Sequence, residues 1–70
     1  MIKYYKSITI KCNNGKVYKT IDEISRKLFF DAYDLFHGEC GVETYASGDE
    51  CGLIATLNDS AKIHYFMISY

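Results

Sequence analysis

The chain contains no proline, no tryptophan, a single arginine, and no apolar run near the roughly 18 residues that a membrane-spanning helix needs. Without proline or any linker-like stretch, nothing marks a domain boundary, so residues 1–70 read as one compact unit. Neither Gly-x-x-x-x-Gly-Lys nor Gly-x-Gly-x-x-Gly occurs, which sets aside phosphate-loop and dinucleotide chemistry. The opening Met1-Ile2-Lys3-Tyr4-Tyr5-Lys6 lacks the apolar centre of a signal peptide, so the cytoplasm is the expected compartment. Disorder is excluded by composition, since 49% of residues are hydrophobic and 24% charged. A chain this short buries only roughly 60% of its unfolded surface, which leaves little material for a deep cleft.

What is present is unevenly distributed. The net charge is −1, far from the basic balance of a dedicated nucleic-acid module. Residues 1–20 nevertheless carry Lys3, Lys6, Lys11, Lys16 and Lys19 and no acid. From Ile21 to Asp59, nine acids face only Arg26 and Lys27, a segment charge of −7. An acidic half of this kind suits a basic partner surface, because complementary potentials steer encounter and fix register. Cys12, Cys40 and Cys51 are an odd number, and reduced thiols are expected rather than a disulfide framework.

Ile2, Tyr4, Lys6, Ile8, Ile10 and Cys12 alternate with Lys3, Tyr5, Ser7, Thr9 and Lys11, the period of a half-buried strand. Asn13-Asn14-Gly15 supplies turn residues that tolerate positive φ, and Lys16 to Lys19 reads as the short return strand of a hairpin. Thr20-Ile21-Asp22-Glu23 matches a capping box, which predicts a helix over Ile21 to His37, ended by Gly38. Its buried stripe is expected at Ile24, Leu28, Ala32 and Leu35, with Ile21 and Phe36 on the flanks. Strands are then expected at Val42 to Ala46, Gly52 to Leu57 and Ala61 to Tyr70, separated by turns at Ser47–Asp49 and Asn58–Ser60. The fold class is α+β in the order ββαβββ: a two-layer sandwich, one helix packed on an antiparallel sheet.

Candidate chemistry is sparse. Cys40 or Cys51 with His37 or His64 would also need an oxyanion site and a water-excluding pocket, so small packed cysteines are expected and an enzyme is not. His37-Gly38-Glu39-Cys40 has a His-x-x-Cys spacing that Cys51 with His64 or Cys12 would complete as a zinc site. No paired Cys-x-x-Cys unit supports it, and no metal or cofactor is assigned. Nucleic-acid binding is the main alternative function: Lys3, Tyr5, Ser7, Thr9 and Lys11 share one side of the first strand, where rings stack bases and lysines neutralise phosphates.

The helix carries the strongest pointer. At about 100° per residue, Phe30 and His37 lie nearly opposite the expected stripe, and Phe29 and Tyr33 lie on its shoulder. Phe30, Tyr33 and His37 follow i, i+3, i+7 spacing with Asp31 and Asp34 beside them, a pattern of aromatic anchors with a polar rim. Seven tyrosines point the same way, since tyrosine offers rigid contact area with a polar tip. The partner-binding set is therefore Phe30, Tyr33 and His37 as anchors, with Asp31, Asp34, Glu43, Asp49 and Glu50 opposing basic residues of a partner. An exposed strand edge leaves either a monomer or a homodimer open.

In general character, with its lysine-bearing hairpin from Lys3 to Lys19, one helix and a hairpin-rich acidic second half, the whole chain resembles the small single-domain proteins that bacteriophages use against host defence, among them anti-CRISPR proteins. No functional residue carries over by motif. The resemblance implies an inhibitor that binds a host protein or ribonucleoprotein complex stoichiometrically, often at a basic nucleic-acid-handling surface.

Overall fold

The computed structural model describes residues 1–58 and 60–69, with Asn58 described by its backbone alone. Asp59, inside the expected Asn58–Ser60 turn, and Tyr70, where the last strand was expected to end, lie outside the described residues. The elements are β1 (Ile2–Lys11), β2 (Val17–Ile24), α1 (Arg26–Phe36), β3 (Val42–Ser47), β4 (Glu50–Asn58) and β5 (Ala61–Ser69). This is a small α+β fold of one helix and a five-stranded antiparallel sheet, in spatial order β2-β1-β5-β4-β3.

The first hairpin closes on the expected residues. Gly15 N–H donates to the Cys12 carbonyl at 3.0 Å, and Cys12 N–H to the Lys16 carbonyl at 2.8 Å. Asn14 Oδ1 accepts from Lys16 N–H at 3.0 Å. Only Gly15 takes a positive φ, of 85°, so the asparagines serve the turn through hydrogen bonding and glycine alone supplies the left-handed residue.

The helix starts later than the capping box predicts. Thr20 to Glu23 lie within β2, paired with Ile8 to Tyr5 across the hairpin. A ten-residue β1 offers partners along its whole length, and β-branched Thr20, Ile21 and Ile24 suit the pleated ladder, so strand pairing overrides the local helix signal. The working N-cap is Ser25, whose Oγ accepts from Leu28 N–H at 3.1 Å. The result is an eleven-residue helix, capped at His37, where His37 N–H donates to the Tyr33 carbonyl at 2.8 Å.

The helix is also rolled by about one residue, roughly 100°, from the expected stripe. Phe29 and Ala32 are buried and Tyr33 and Phe36 half-buried, whereas Leu28 and Leu35 are 57% and 66% exposed. Ile24 belongs to the strand, so it cannot anchor a helical stripe, and the helix instead turns its largest rings onto the sheet. Phe29 lies 5.0 Å from the Tyr4 ring and Phe36 6.2 Å from the Tyr65 ring. Complete burial of a side chain the size of Phe29 contributes about 2–3 kcal/mol. Leu53 and Ala55 of β4 complete the buried set on this face. Lys6, the odd member of the inward strand set, sets its ammonium 5.7 Å from the Tyr65 ring centroid.

Cross-strand register places Tyr5, Ser7, Thr9, His64, Phe66, Gly52, Ile54 and Tyr45 on the opposite face. No helix among the described residues is long and apolar enough to cross a membrane.

Gly52 sits between Tyr45 and Phe66 in one cross-strand row. A Cβ there would collide with the Tyr65 carbonyl oxygen and stand 2.9 Å from both Cα and Cβ of Phe66. Gly52→Ala is therefore expected to destabilise the fold by about 1–3 kcal/mol, or about 4–8 °C in Tm per kcal/mol for a domain of this size. Thermal denaturation checks this, and an unchanged midpoint would mean that the β4–β5 pair separates without cost.

Candidate functional site

Two surfaces gather side chains with chemical potential, one beside the helix and one on the opposite face of the sheet. Beside the helix, Phe29, Phe30 and Tyr33 of α1 and Tyr45, Ala46, Cys51 and Gly52 of β3 and β4 line an open groove of ≈ 360 Å³. Phe30 is 39% exposed, stands 5.2 Å edge-on to Phe29, and carries the Arg26 guanidinium 5.3 Å from its centroid. Tyr33 stacks on Phe29 at 6.2 Å and His37 on Tyr33 at 5.1 Å, which makes a continuous run of rings along this flank. Asp34 is exposed, and helical spacing puts it four residues from Phe30 on the same flank.

The remaining expected partner residues divide. Asp31 points outward and binds Lys27 Nζ at 2.6 Å. Glu43 belongs to the opposite face of β3, and Asp49 lies in the β3–β4 turn, where its carbonyl accepts from Ser69 N–H at 2.9 Å. Glu50 is half-buried and its carboxylate is engaged by Tyr45. The structure thus brings Phe30, Tyr33, His37 and Asp34 together, and does not bring Asp31, Glu43, Asp49 and Glu50 to them.

On the opposite face, rings from three strands form a row that sequence reasoning missed apart from Tyr5. Tyr5 stacks on Phe66 at 5.1 Å, Phe66 on His64 at 4.6 Å, and His64 meets Tyr45 at 5.5 Å. Because Gly52 has no side chain, Tyr45 of β3 reaches across β4 to β5. Its hydroxyl lies 2.7 Å from Glu50 Oε1 and 2.6 Å from His64 Nε2. An ionised carboxylate accepts only, so Tyr45 donates to Glu50 and the His64 Nε2–H donates to Tyr45. Burial, followed by the hydrogen bond to Glu50 and the charges of Glu50 and Cys51, pushes the Tyr45 hydroxyl pKa up. Burial also holds His64 below its ordinary 6.5; the Glu50 charge opposes this shift and Lys19 adds to it. The phenol therefore holds its proton more firmly than an ordinary tyrosine, and the imidazole is biased toward its neutral form.

The alternation of His64 and Phe66 was visible in the sequence, but pairing them with Tyr5 and Tyr45 required the strand order. No thiol hydrogen-bonds within the cluster, and Cys51 acts on Tyr45 through charge alone. Cys51 faces the helix side in register with Met67, opposite to His64; Cys40 is exposed, and all three cysteines are free. Among the described residues no three His, Cys, Asp or Glu side chains are placed to hold a metal ion.

No family model, no curated protein and no solved structure matches this chain. Function must therefore be argued from these two surfaces.

Because folding lowers the His64 pKa, the unfolded chain binds more protons than the native one as pH falls through 6.5. The stability contributed by neutral His64 is complete above that pH and declines on acidification. Tm is expected to drop between about pH 7.5 and about pH 5.5, and to drop less in His64→Gln. Equal slopes for the two proteins would show that folding does not perturb this imidazole.

Proposed function

We propose that the chain is a small stoichiometric protein-binding module, an inhibitor of the anti-CRISPR type. It acts in the host cytoplasm by docking on a basic surface of a host protein or ribonucleoprotein complex. The observation that carries this reading is the open apolar groove between α1 and the β3–β4 pair, with partly exposed Phe30 at its rim; Asp34 follows Phe30 by four residues, about one helical turn on. A side chain from a partner fills such a groove, while Phe30 and Tyr33 supply flat contact area and Asp34 meets a partner cation. The reading asks for a rigid platform and no chemical step, cofactor or metal. A two-layer sandwich provides the platform: α1 touches β1, β4 and β5 on one face and leaves both its flanks accessible.

A second reading has its own observation. The opposite face carries the row Tyr5, Phe66 and His64, with Lys3, Lys11 and Lys62 on the same side of β1 and β5. Rings and lysines so arranged suit a single strand of nucleic acid, whose bases stack and whose phosphates are neutralised.

Phe30→Ala combined with Asp34→Lys is expected to preserve the circular dichroism spectrum and to weaken binding to the isolated host complex by roughly a hundredfold, the loss of one aromatic anchor and one charge pair. Titration of the two proteins against that complex by calorimetry decides it, with one chain per partner expected. Unchanged affinity would remove the helix flank as the docking surface. For the second reading, binding to a labelled single strand is expected to fall steeply with salt. No binding at low salt removes it.

A further inference from the structure

The outer edge of the sheet at β2 is unlike the edge at β3. Val17, Tyr18 and Ile21 of β2 are each more than half exposed, whereas β3 leaves no large hydrophobic side chain exposed. β2 is also eight residues long, and its side away from β1 has no strand partner. An edge of this length with exposed apolar side chains favours the addition of another strand.

The residues of β2 are complementary to their own reversed order. When two copies pair antiparallel about a two-fold axis perpendicular to the sheet, residues facing each other must lie on the same face, so only registers two residues apart are allowed. With the axis at Ile21, Lys19 faces Glu23 of the second copy, Tyr18 faces Ile24, Thr20 faces Asp22, and Ile21 faces its own mate. Opposite charges meet twice and apolar side chains meet three times. Moving the axis to Thr20 sets Tyr18 against Asp22 and Val17 against Glu23; moving it to Asp22 sets Asp22 against itself and Ile21 against Glu23. One register alone matches charge with charge and apolar with apolar.

Three features of the chain agree with it. Lys19 and Glu23 form no ion pair within it, since the one ion pair among the described residues is Lys27–Asp31. Lys19 shares its cross-strand row with Thr9 and Lys62, so an acid arriving beside Lys19 offsets two lysines. The second copy's Tyr18 lands beside Ile24, on the rim of a ≈ 320 Å³ groove that Ile24 lines with exposed Leu28 and Leu35. The pairing thus gives the helix's second apolar flank a neighbour.

We propose that the protein is a homodimer in which β2 pairs with β2 of a second copy, the two-fold axis passing through Ile21, to form one continuous sheet. The Phe30 flank lies on the far side of α1, toward β3 and β4, so this assembly is independent of the docking surface proposed above.

Sedimentation equilibrium on the full chain tests the pairing by charge exchange. The native chain is expected to sediment as a dimer at micromolar concentrations. Lys19→Glu and Glu23→Lys should each weaken association by roughly tenfold or more, because each sets two like-charged pairs across the axis. Both sites are exposed, and unchanged circular dichroism confirms that each variant folds. An equimolar mixture of the two variants, and the double variant carrying both exchanges, should each recover the dimer, since both facing pairs in each dimer are again opposite in charge. A monomeric native chain at millimolar concentration overturns the proposal. So does a dimer indifferent to both single exchanges, which would form elsewhere, and so does a β2 edge that pairs only with a strand of a foreign protein.

Discussion

An eleven-residue helix is about 16 Å long, while a ten-residue strand extends about 33 Å. One such helix cannot cover a five-stranded sheet, and the exposed surfaces on the helix side of the sheet follow from that mismatch. α1 packs mainly on β1, β4 and β5, and seven of the eight β2 residues stay exposed. The helix therefore has two open flanks, Leu28 and Leu35 toward β2 and Phe30 and Tyr33 toward β3 and β4, and each borders an apolar groove. A longer helix, as the capping box at Thr20 suggested, would have taken Ile21 to Ile24 from β2 and halved the exposed edge.

The opposite face is organised by an absence. Gly52 lets β4 and β5 approach closely, and it leaves room for Tyr45 to extend from an edge strand to His64 near the middle of the sheet. Tyr45 then links Glu50 to His64, and the ring row continues through Phe66 to Tyr5. Five residues from four strands are held by one missing side chain. Each ring of the row meets another: Tyr5 and Phe66 on neighbouring strands, Phe66 and His64 two positions apart on β5, and Tyr45 and His64 across β4.

The docking reading proposed above rests on surfaces. The groove beside Phe30 is lined by apolar and aromatic side chains, the face around Phe66 presents rings and lysines, and the β2 edge presents backbone groups. The groove and the ring face share Tyr45, whereas the β2 edge lies at the end of the sheet away from the groove.

Much of this was legible in the residues. Alternation from Ile2 to Lys11, the Asn13-Asn14-Gly15 turn and the β-branched and aromatic residues after Ala61 each encode local backbone preference, and each formed the expected element among the described residues. Phe30 was legible as an exposed ring because any roll that buries Phe29 and Ala32 leaves it at the rim. Two matters were decided by tertiary structure alone. Whether Thr20 to Glu23 became a helix or a strand depended on the length of β1 beside them, which a capping motif does not register. The cluster of Tyr45, Glu50 and His64 depended on β5 inserting between β1 and β4, since strand order, and not spacing along the chain, determines which side chains meet across a sheet.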